Sequence, residues 1–504
     1  MKAVFRTDAS LTIGTGHVMR CLALADALKI KGGDSRFVCR AHPGSLEALI
    51  RQRGYAVDLL PISPQGASSF DSAEGPVHAD WLGADWRIDA EQTAACLTAP
   101  VDYLIVDHYA IDSRWEGALR KYCRRIMVID DLADRAHDCD VLLDQNFLPN
   151  ADRYASLMPP SAIALIGPRY ALLRDEFALT AERPETRSRP RLLIMFGGAD
   201  RSRQTERVLR LLAEMAWQDP VDIVAGPLYP DMYALREMMA TLPDATLHVA
   251  PTHIAALMRR ADFSVGASGV TSLERCACGL PSITVAQAWN QEAIGTALAE
   301  AGAHWYLGRE IEATDTDWQD ALRMLARQSV IRHHMSVTAT AICDGRGVRR
   351  VVAHLMQATM RVRRAEKSDG DLLFAWRNDE RTRRLSHDPR PLDYEAHLRW
   401  LAKTLDDSKV DLLLLGTGDR DMACVRFDCQ SEMAILSIYV DPDLQGQGVG
   451  RSALAAAIDW LKAYRPALKK LNAIVLESNH ASHQLFLTAG FTPGQTNYVL
   501  DLQS

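Results

Sequence analysis

The chain has 504 residues, 48% of them apolar, with a formal net charge of −7 and an isoelectric point near 6.1. At roughly 150 residues per domain, this length predicts about three domains, each able to bury a core. The slightly acidic balance lacks the basic surplus that is typical of nucleic-acid-binding proteins, so no nucleic-acid partner is expected.

No apolar run reaches the length needed to cross a bilayer, and the first residues lead directly into a predicted strand. We therefore expect no membrane partner and a cytoplasmic location. The ten cysteines lack Cys-x-x-Cys spacing, and several lie in apolar segments, which favours reduced core thiols over a disulfide framework or a zinc site. His480 and His483 have no nearby cysteine or carboxylate pair, so no metal site is expected. The sequence leaves the oligomeric state open.

The first predicted domain, residues 1–180, alternates apolar runs with amphipathic segments. A helix is predicted at Val18–Lys31, and strands are predicted at Ala3–Arg6, Arg36–Arg40, Asp102–Asp107 and Arg125–Asp130. The last two are near-continuous apolar runs ending in Asp, as expected for parallel strands covered on both faces. Strands that alternate with helices predict an open α/β sheet.

A polar stretch with two prolines, Ala181–Pro190, predicts a linker to a second α/β half at 190–345. Strands in that half are predicted at Arg191–Phe196, Val221–Ala225 and Ala261–Gly266. The cleft between two such halves is a usual ligand site. The pattern changes again near Asp344–Arg364, which predicts a third domain at 360–504.

In this third domain, a strand at Met433–Val440 precedes a glycine-rich segment and a helix at Ser452–Tyr464. Alternate glycines let backbone N–H groups converge on an anion, and the helix N-terminus adds partial positive charge. With the strand exit Val440-Asp441-Pro442 and the closing Gly490-Phe491, this arrangement resembles the coenzyme A loop of the GNAT N-acetyltransferases. The resemblance covers most of 360–504 and implies an α+β domain with acetyl-CoA as co-substrate.

The same resemblance implies that Asn479 lies beside the pantetheine. It also implies that the pyrophosphate is held by Gln445, Gly446, Gln447, Gly448, Val449, Gly450 and Arg451. Many family members carry a tyrosine in the closing helix that protonates the departing thiolate, whereas the matching position here is Phe486. The acid is therefore open between Tyr498, Tyr439 and water, and impaired activity is an alternative.

In the second half, the segment Gly266–Glu274 follows an apolar strand and begins a helix that Ser268 or Gly269 is expected to cap. A helix N-terminus can take a phosphate, and Glu274, about one turn in, suits the two hydroxyls of a ribose. The pattern resembles the UDP-sugar-binding half of GT-B glycosyltransferases. An ordinary capped helix with one exposed Glu would show a similar sequence pattern. The resemblance implies UDP-sugar contacts from Gly197, Gly198, Asp200, Ser268, Gly269, Thr271, Glu274 and Gln291.

In the first half, Gly14-Thr15-Gly16-His17 resembles the acceptor-half loop of the enzyme that makes lipid II. Longer segments are more specific: "RTDASLTIGTGHVMRCLALADAL", "LIVDHYAID", "IDDLADRAHDCDVLLDQN" and "GPRYALLRDEF", together with "FGGAD" and "AWNQ". They resemble the UDP-2,4-diacetamido-2,4,6-trideoxy-altropyranose hydrolases of pseudaminic acid synthesis over about 1–340. The resemblance implies two Rossmann-like halves in a GT-B arrangement that deliver the sugar to water with inversion, release UDP and need no metal.

Such a reaction needs stabilisation of the leaving UDP and a base for the attacking water. Histidine accepts protons near neutral pH, and the resemblance implies that His17 is this base, with a helix-capping histidine as the alternative. Asp8 is expected to orient His17 or bind a sugar hydroxyl, and Tyr109 to bind the sugar. Asn290 and Gln291 are expected to bind the sugar or the water. The substrate-binding set is completed by Arg6, Gly14 and Gly16.

In pseudaminic acid synthesis a 4-amino UDP-sugar is N-acetylated and then hydrolysed, so the fusion implies a bifunctional enzyme for two consecutive steps. Two alternatives stay open. One is a GT-B glycosyltransferase with a sugar or lipid acceptor, joined to an acyltransferase of other specificity. The other is a non-catalytic nucleotide-sugar binder.

Overall fold

The computed structural model describes residues 1–62, 75–99, 101–150, 152–178, 189–197, 200, 202–226, 229–386, 388–418, 420–446, 448–494 and 497–502. Most of the predicted linker, residues 181–188, lies outside this set. The chain divides into two compact units. The large unit comprises Ala3–Ala27 and Ser35–Arg350, and the small unit comprises Met1–Lys2, Leu28–Asp34 and Val351–Ser504.

The first sheet has seven strands in the order β3-β2-β1-β4-β5-β6-β7. Its elements are β1 (Lys2–Thr7), α1 (Gly16–Ile30), β2 (Asp34–Arg40), α2 (Glu47–Gln52), β3 (Ala56–Leu60), α3 (Trp86–Cys96), β4 (Val101–Asp107), α4 (Ser113–Leu119), β5 (Cys123–Ile129), β6 (Val141–Asp144) and β7 (Ile163–Ile166). The pairs β1–β4, β4–β5, β5–β6, β6–β7 and β2–β3 are parallel. Every residue of β4 is buried, which explains its continuous apolar sequence.

The second sheet has six strands, all paired in parallel, in the order β10-β9-β8-β11-β12-β13. Its elements are β8 (Leu192–Met195), α5 (Gln204–Glu214), β9 (Val221–Ala225), α6 (Met232–Met239), β10 (Ala245–Val249), α7 (Ile254–Arg260), β11 (Phe263–Ala267), α8 (Thr271–Ala277), β12 (Ser282–Ala286), α9 (Glu292–Glu300) and β13 (His304–Arg309). The helices α10 (Asp315–Arg327), α11 (Ser329–Ile342) and α12 (Gly347–Ala358) follow.

The strand order reverses at one point in each parallel sheet, between β1 and β4 in the first and between β8 and β11 in the second. At such a switch point, the loops leaving the carboxyl ends of the two strands diverge and open a crevice between them. In this topology, the loops after β1, β4, β8 and β11 are the ones that border such a crevice. Among the described helices, none is long and apolar enough to cross a membrane.

The third sheet is mixed, with the order β14-β15-β16-β17-β18-β20-β19. Its elements are β14 (Arg361–Arg364), α13 (Gly370–Asn378), α14 (Glu380–Arg383), α15 (Tyr394–Asp406), β15 (Val410–Thr417), β16 (Arg420–Gln430), β17 (Met433–Val440), α16 (Val449–Tyr464), β18 (Lys470–Ala473), α17 (His480–Thr488), β19 (Thr492–Pro493) and β20 (Tyr498–Asp501). The pair β17–β18 is parallel, and the others are antiparallel. The parallel register ends at Leu436 and Ala473, whereas β17 continues to Val440.

Candidate active site

The switch point of the first sheet carries a histidine–carboxylate pair. His17 is the second residue of α1, which follows β1, and Asp107 is the last residue of β4. The His17 Nδ1 atom lies 2.6 Å from Asp107 Oδ1. Burial alone would raise the pKa of Asp107, but Arg20 and then His17 hold it well below its ordinary value. The ionised carboxylate can only accept hydrogen bonds, so His17 Nδ1 donates and Nε2 is left as an acceptor in the neutral ring.

Arg20 completes a buried charge network around this pair. Its guanidinium donates to both oxygens of Asp107, each at 2.7 Å, and to Asp131 at 2.9 Å. Asp131 also accepts a short hydrogen bond from the Tyr109 hydroxyl. Burial and then Asp131 raise the pKa of Tyr109 well above its ordinary value, so that hydroxyl keeps its proton. The Tyr109 ring stands edge-on to the His17 ring, with centroids 4.6 Å apart.

A thiol lies at the base of the network. Cys21 Sγ lies 3.5 Å from Asp107 Oδ2, and the residue is fully buried. Burial and the negative charge of Asp107 raise the pKa of this thiol well above its ordinary value. Cys21 is therefore a weak hydrogen-bond donor to the carboxylate.

A cavity of about 200 Å³ opens beside His17, between the two halves of the large unit. Its polar lining from the first half consists of His17, Arg20, Tyr109, Asp131 and Asn146. The second half contributes Gly269, Val270, Asn290, Gln291 and Ile294. The structure thus brings together the predicted residues His17, Tyr109, Asn290, Gln291, Gly269 and Gly16.

The structure does not bring Asp8 and Arg6 to this cavity, because both side chains are fully buried. Asp8 accepts from the Arg40 backbone N–H at 2.6 Å and pairs with Arg6 at 2.8 Å and His108 at 3.2 Å. Arg6 also donates to Asp89 at 2.7 Å. Asp107, rather than Asp8, orients His17, and neither Asp8 nor Arg6 has a surface on which to meet a ligand.

The expected cap of α8 is also corrected. The residue before α8 is Val270, with no side-chain cap, while Ser268 Oγ lies 3.1 Å from Gln291 O and 3.2 Å from Val285 O. Ser268 therefore ties the ends of β11 and β12 together instead of capping the helix. A side chain at Gly269 would meet the Gln291 amide at 3.2 Å, so glycine keeps that amide in place.

Within α8, Thr271 is the first residue and Glu274 the fourth, and both are half-buried. Burial raises the pKa of Glu274 to about 7, against the opposing charge of Arg174. Neither Thr271 nor Glu274 lines the cavity beside His17. If Glu274 contacts a ligand, that part of the ligand lies beyond the His17 cavity.

The loop after β8 is only partly described, since Gly198 lies outside the described residues. Gly197 is exposed, with a φ of +99° that favours glycine. Asp200 is buried and accepts from the backbone N–H groups of Gln204 and Thr205 at 3.1 and 2.8 Å, which fixes the start of α5. Asp200 thus stabilises the loop from a buried position.

In the first half, Gly14 is exposed, has a φ of +82° and does not line the cavity.

The glycine-rich segment of the small unit leads into α16. Gly446 and Gly448 have φ values of +73° and +82°, and a Cβ added at either one would meet no atom within 4 Å. Gly448 directly precedes the 16-residue helix α16. The open space above these residues, at a helix N-terminus, fits the binding of a pyrophosphate.

The remaining residues of this predicted set have different surroundings. Gln447 lies outside the described residues, and Gln445 donates to the Thr382 hydroxyl at 3.2 Å. Val449 is buried, whereas Arg451 is exposed. Gly450 has room for a Cβ, which would lie 3.5 Å from Val440 and 3.7 Å from Leu485, at ordinary contact distances.

The closing helix α17 holds two more predicted residues. Asn479 caps it, accepting from the Ser482 backbone N–H at 3.0 Å. Phe486 is buried, with its ring 5.9 Å from that of Tyr498. The Tyr498 hydroxyl lies 2.7 Å from His483 Nδ1, and His483 Nε2 lies 3.1 Å from the Leu476 carbonyl. Because a carbonyl only accepts, Nε2 donates to it, and Nδ1 accepts from Tyr498.

The two parts of the chain match different known proteins. Residues 359–492 match the family model described as acetyltransferase (GNAT) domain. The UDP-2,4-diacetamido-2,4,6-trideoxy-beta-L-altropyranose hydrolase of Campylobacter jejuni is 25% identical over 303 residues, which cover 60% of this chain and 97% of that protein. The chain joins a part homologous to this hydrolase with a GNAT domain. Acetyl-CoA is the co-substrate of the GNAT part.

Other similarities extend over more of the chain. An uncharacterized protein of Methanocaldococcus jannaschii is 21% identical over 527 residues, covering 97% of this chain and 96% of its own length. The crystal structure of MurG from Acinetobacter baumannii superposes with a TM-score of 0.50 and 17% identity, over 70% of this chain and 98% of that one. This likeness concerns the fold, and it confirms the predicted GT-B arrangement of two Rossmann-like halves. The match at 359–492 confirms the α+β GNAT domain that follows.

Sequence reasoning missed Asp107, Arg20, Asp131 and Asn146. Three of the four lie at or just after the carboxyl ends of β4, β5 and β6, where the sheet topology gathers polar groups. A signal was available in the buried strand that ends in Asp107, because a carboxylate buried there needs a cationic partner. Among the described residues, no group of three or more histidines, cysteines or carboxylates could hold a metal ion.

Asp107→Asn should change the tautomer of His17. The neutral amide can donate to Nδ1, which would move the ring proton to Nε2 and turn that atom from an acceptor into a donor. Nitrogen-15 NMR of labelled histidines, with the His17 signals assigned from His17→Gln, measures this directly. Asp8→Asn should leave the His17 signals unchanged, and an unchanged tautomer in Asp107→Asn would contradict the assignment.

Proposed function

We propose that the chain is a bifunctional enzyme of nucleotide-sugar synthesis. The large unit hydrolyses a UDP-2,4-diacetamido-2,4,6-trideoxy sugar to the free sugar and UDP, and the GNAT domain N-acetylates the UDP-4-amino precursor with acetyl-CoA. The observation that carries the proposal is His17, which is bound through Nδ1 to Asp107 and lines the cavity between the halves. The relationship to the Campylobacter hydrolase over 60% of the chain supports the substrate class.

In the hydrolysis, a water oxygen attacks the anomeric carbon while the bond from that carbon to the phosphate oxygen breaks. His17 Nε2 takes the water proton, and UDP leaves with the bonding electron pair. The negative charge of Asp107 stabilises the imidazolium that forms, and Arg20 keeps the carboxylate from taking the proton itself. Attack opposite to the leaving group inverts the anomeric centre.

The roles of the other cavity residues follow from their positions. Tyr109, Asn290 and Gln291 line the cavity beside His17 and would contact the sugar or the water. Gly269 and Val270, after β11, would face the phosphates, and Glu274, farther along α8, would face the ribose. The Tyr109 hydroxyl already donates to Asp131, so it offers the substrate an oxygen acceptor.

For acetyl transfer, the open glycine loop before α16 supports acetyl-CoA binding at Gly446–Arg451. The amine of the sugar attacks the acetyl carbonyl, the carbon–sulfur bond breaks, the nitrogen gives up one proton to solvent, and the departing thiolate of coenzyme A must receive one. Phe486 has none to give, while the ring of Tyr498 lies 5.9 Å from that of Phe486 and its hydroxyl is hydrogen-bonded to His483. Burial and then Cys424 raise the pKa of Tyr439 well above its ordinary value, which makes it the poorer donor. We therefore favour Tyr498 as the acid.

His17→Ala should lower the rate of UDP release by about a hundredfold to ten-thousandfold, because it removes the base. UDP affinity should change little, because the proposed uridine contacts lie on the other half. Product analysis by NMR and calorimetric titration with UDP measure the two effects. His253→Ala, at an exposed histidine of the same unit, is the control. Near wild-type turnover would reduce His17 to a structural residue, and a glycoside in place of free sugar would indicate a glycosyltransferase.

Glu274→Ala should weaken the binding of UDP and of the UDP-sugar to the same extent, with a smaller effect on turnover at saturating substrate. A ribose contact stabilises ground state and transition state alike, so its loss acts mainly on KM. Titration calorimetry and steady-state kinetics separate these quantities. Glu300→Ala, at the exposed end of α9, should change neither, and unaltered UDP affinity in Glu274→Ala would remove Glu274 from the site.

Gly448→Val should abolish acetyl-CoA binding and acetylation of the 4-amino sugar, while hydrolysis of the ready-acetylated UDP-sugar continues. The new side chain would occupy the space above the loop and adopt a strained positive φ. Free coenzyme A and free UDP are measured with each substrate supplied separately. Gly418→Val carries a similar strain at φ +57° with open space around it, and it should retain acetyl-CoA binding. Loss of both activities in a folded Gly448→Val protein would refute two separate sites.

A further inference from the structure

A group of aromatic side chains continues outward from the His17 cavity. We define the aromatic wall as His78, Trp81 and Trp289, of which Trp81 lines the cavity itself. The His78 ring lies 4.4 Å from that of Trp81, and it is nearly parallel to the ring of Trp289, at 13° and 6.4 Å. Trp81 in turn stacks on Tyr109 at 5.8 Å, and Tyr109 meets His17 edge-on. The wall therefore reaches from the proposed base to a residue of the second half.

Trp289 is exposed, unlike the other described tryptophans of this unit. It is 65% exposed, whereas Trp115 and Trp318 are completely buried in the cores of the two halves. It precedes Asn290 and Gln291, which both line the cavity. An indole face left in water beside a polar cavity offers apolar area that a ligand would cover, and such covering is favourable.

The chemistry of the wall points to a ligand with an apolar face. Burial lowers the pKa of His78, so this ring is neutral at physiological pH and packs as an uncharged aromatic surface. Aromatic faces attract C–H groups and methyl groups, whereas hydroxyls lose hydrogen bonds to water when they are placed against them. A 6-deoxy sugar presents a methyl group where an ordinary hexose presents a hydroxymethyl group.

We propose that the aromatic wall binds the apolar face of the sugar ring, with its C6 methyl group, and thereby selects 6-deoxy UDP-sugars; this inference rests on the proposed function. The alternative stacking partner is the uracil ring. The connection of the wall to His17 through Tyr109 favours the sugar, because the base must adjoin the anomeric carbon. The wall then supplies affinity for the sugar part alone.

The test uses the full-length chain with His17→Ala as the background, so that bound UDP-sugar is not consumed. Calorimetry gives the Kd of UDP, of the UDP-2,4-diacetamido-2,4,6-trideoxy sugar and of its counterpart with a C6 hydroxyl. Adding Trp289→Ala should weaken binding of the 6-deoxy compound by at least about tenfold, the scale of one methyl contact, and should reduce its advantage over the hydroxylated counterpart. UDP should bind as before, and Trp289→Phe should retain most of the affinity.

Tyr233→Ala is the matched control, because Tyr233 is a 72% exposed aromatic residue of the second half that does not line the cavity. It should leave all three affinities unchanged. An unchanged affinity for the 6-deoxy compound in Trp289→Ala would overturn the inference, as would an equal loss of UDP affinity, which would place uracil on the wall. A wild-type chain, with His17 in place, that binds the UDP-sugar without releasing UDP would contradict the proposed hydrolysis, while the binding data from the His17→Ala background would still decide the role of the wall.

Discussion

The arrangement of the large unit's site depends on one carboxylate. Asp107 is fully buried, and it binds both His17 and Arg20, which lie on the same face of α1, three residues apart. Removing Arg20 would leave the charge of Asp107 uncompensated in a region of low dielectric, where this is strongly destabilising. The same contacts fix the position of α1 against the end of β4. The chemistry of the histidine and the packing of the helix therefore have a common origin.

Sheet topology explains why the remaining polar groups gather around this carboxylate. In both sheets of the large unit, neighbouring strands at the switch point send their following loops in opposite directions. Asp107, Asp131 and Asn146 lie at or after the ends of consecutive strands of the first sheet, and Gly269 and Gln291 follow consecutive strands of the second. Side chains distant in sequence thus converge on one cavity, although each follows a different strand.

The strands and the fold class could be predicted from sequence because the parallel strands are buried on both faces and appear as continuous apolar runs. The segment Asp102–Asp107 shows this, as the observed strand is Val101–Asp107. The direction of polar side chains at strand ends could not be predicted. Asp8 turns into the core towards Arg6 and the Arg40 amide, whereas Asp107 turns to His17, 90 residues earlier in the chain.

Side-chain partners at such separations follow from tertiary packing, which local patterns do not encode. In the small unit, the glycine loop was recognisable because its positive φ angles require glycine locally. The hydrogen bond between Tyr498 and His483 connects β20 to α17, and no local sequence pattern comparable to the glycine loop indicates it. The aromatic wall was missed for the same reason, since His78 and Trp289 belong to different halves.

The buried thiol next to the histidine has a consequence for the protein's tolerance of oxidants. Sulfur reacts with peroxides and alkylating agents as the thiolate, and a thiolate beside a histidine is commonly a vulnerable group. Burial and the fixed negative charge of Asp107 keep the Cys21 proton on sulfur. Covalent modification by thiol reagents should therefore begin at the partly exposed Cys96, Cys123 and Cys429. Under oxidative stress, the residues around His17 should still be unmodified after these three cysteines have reacted.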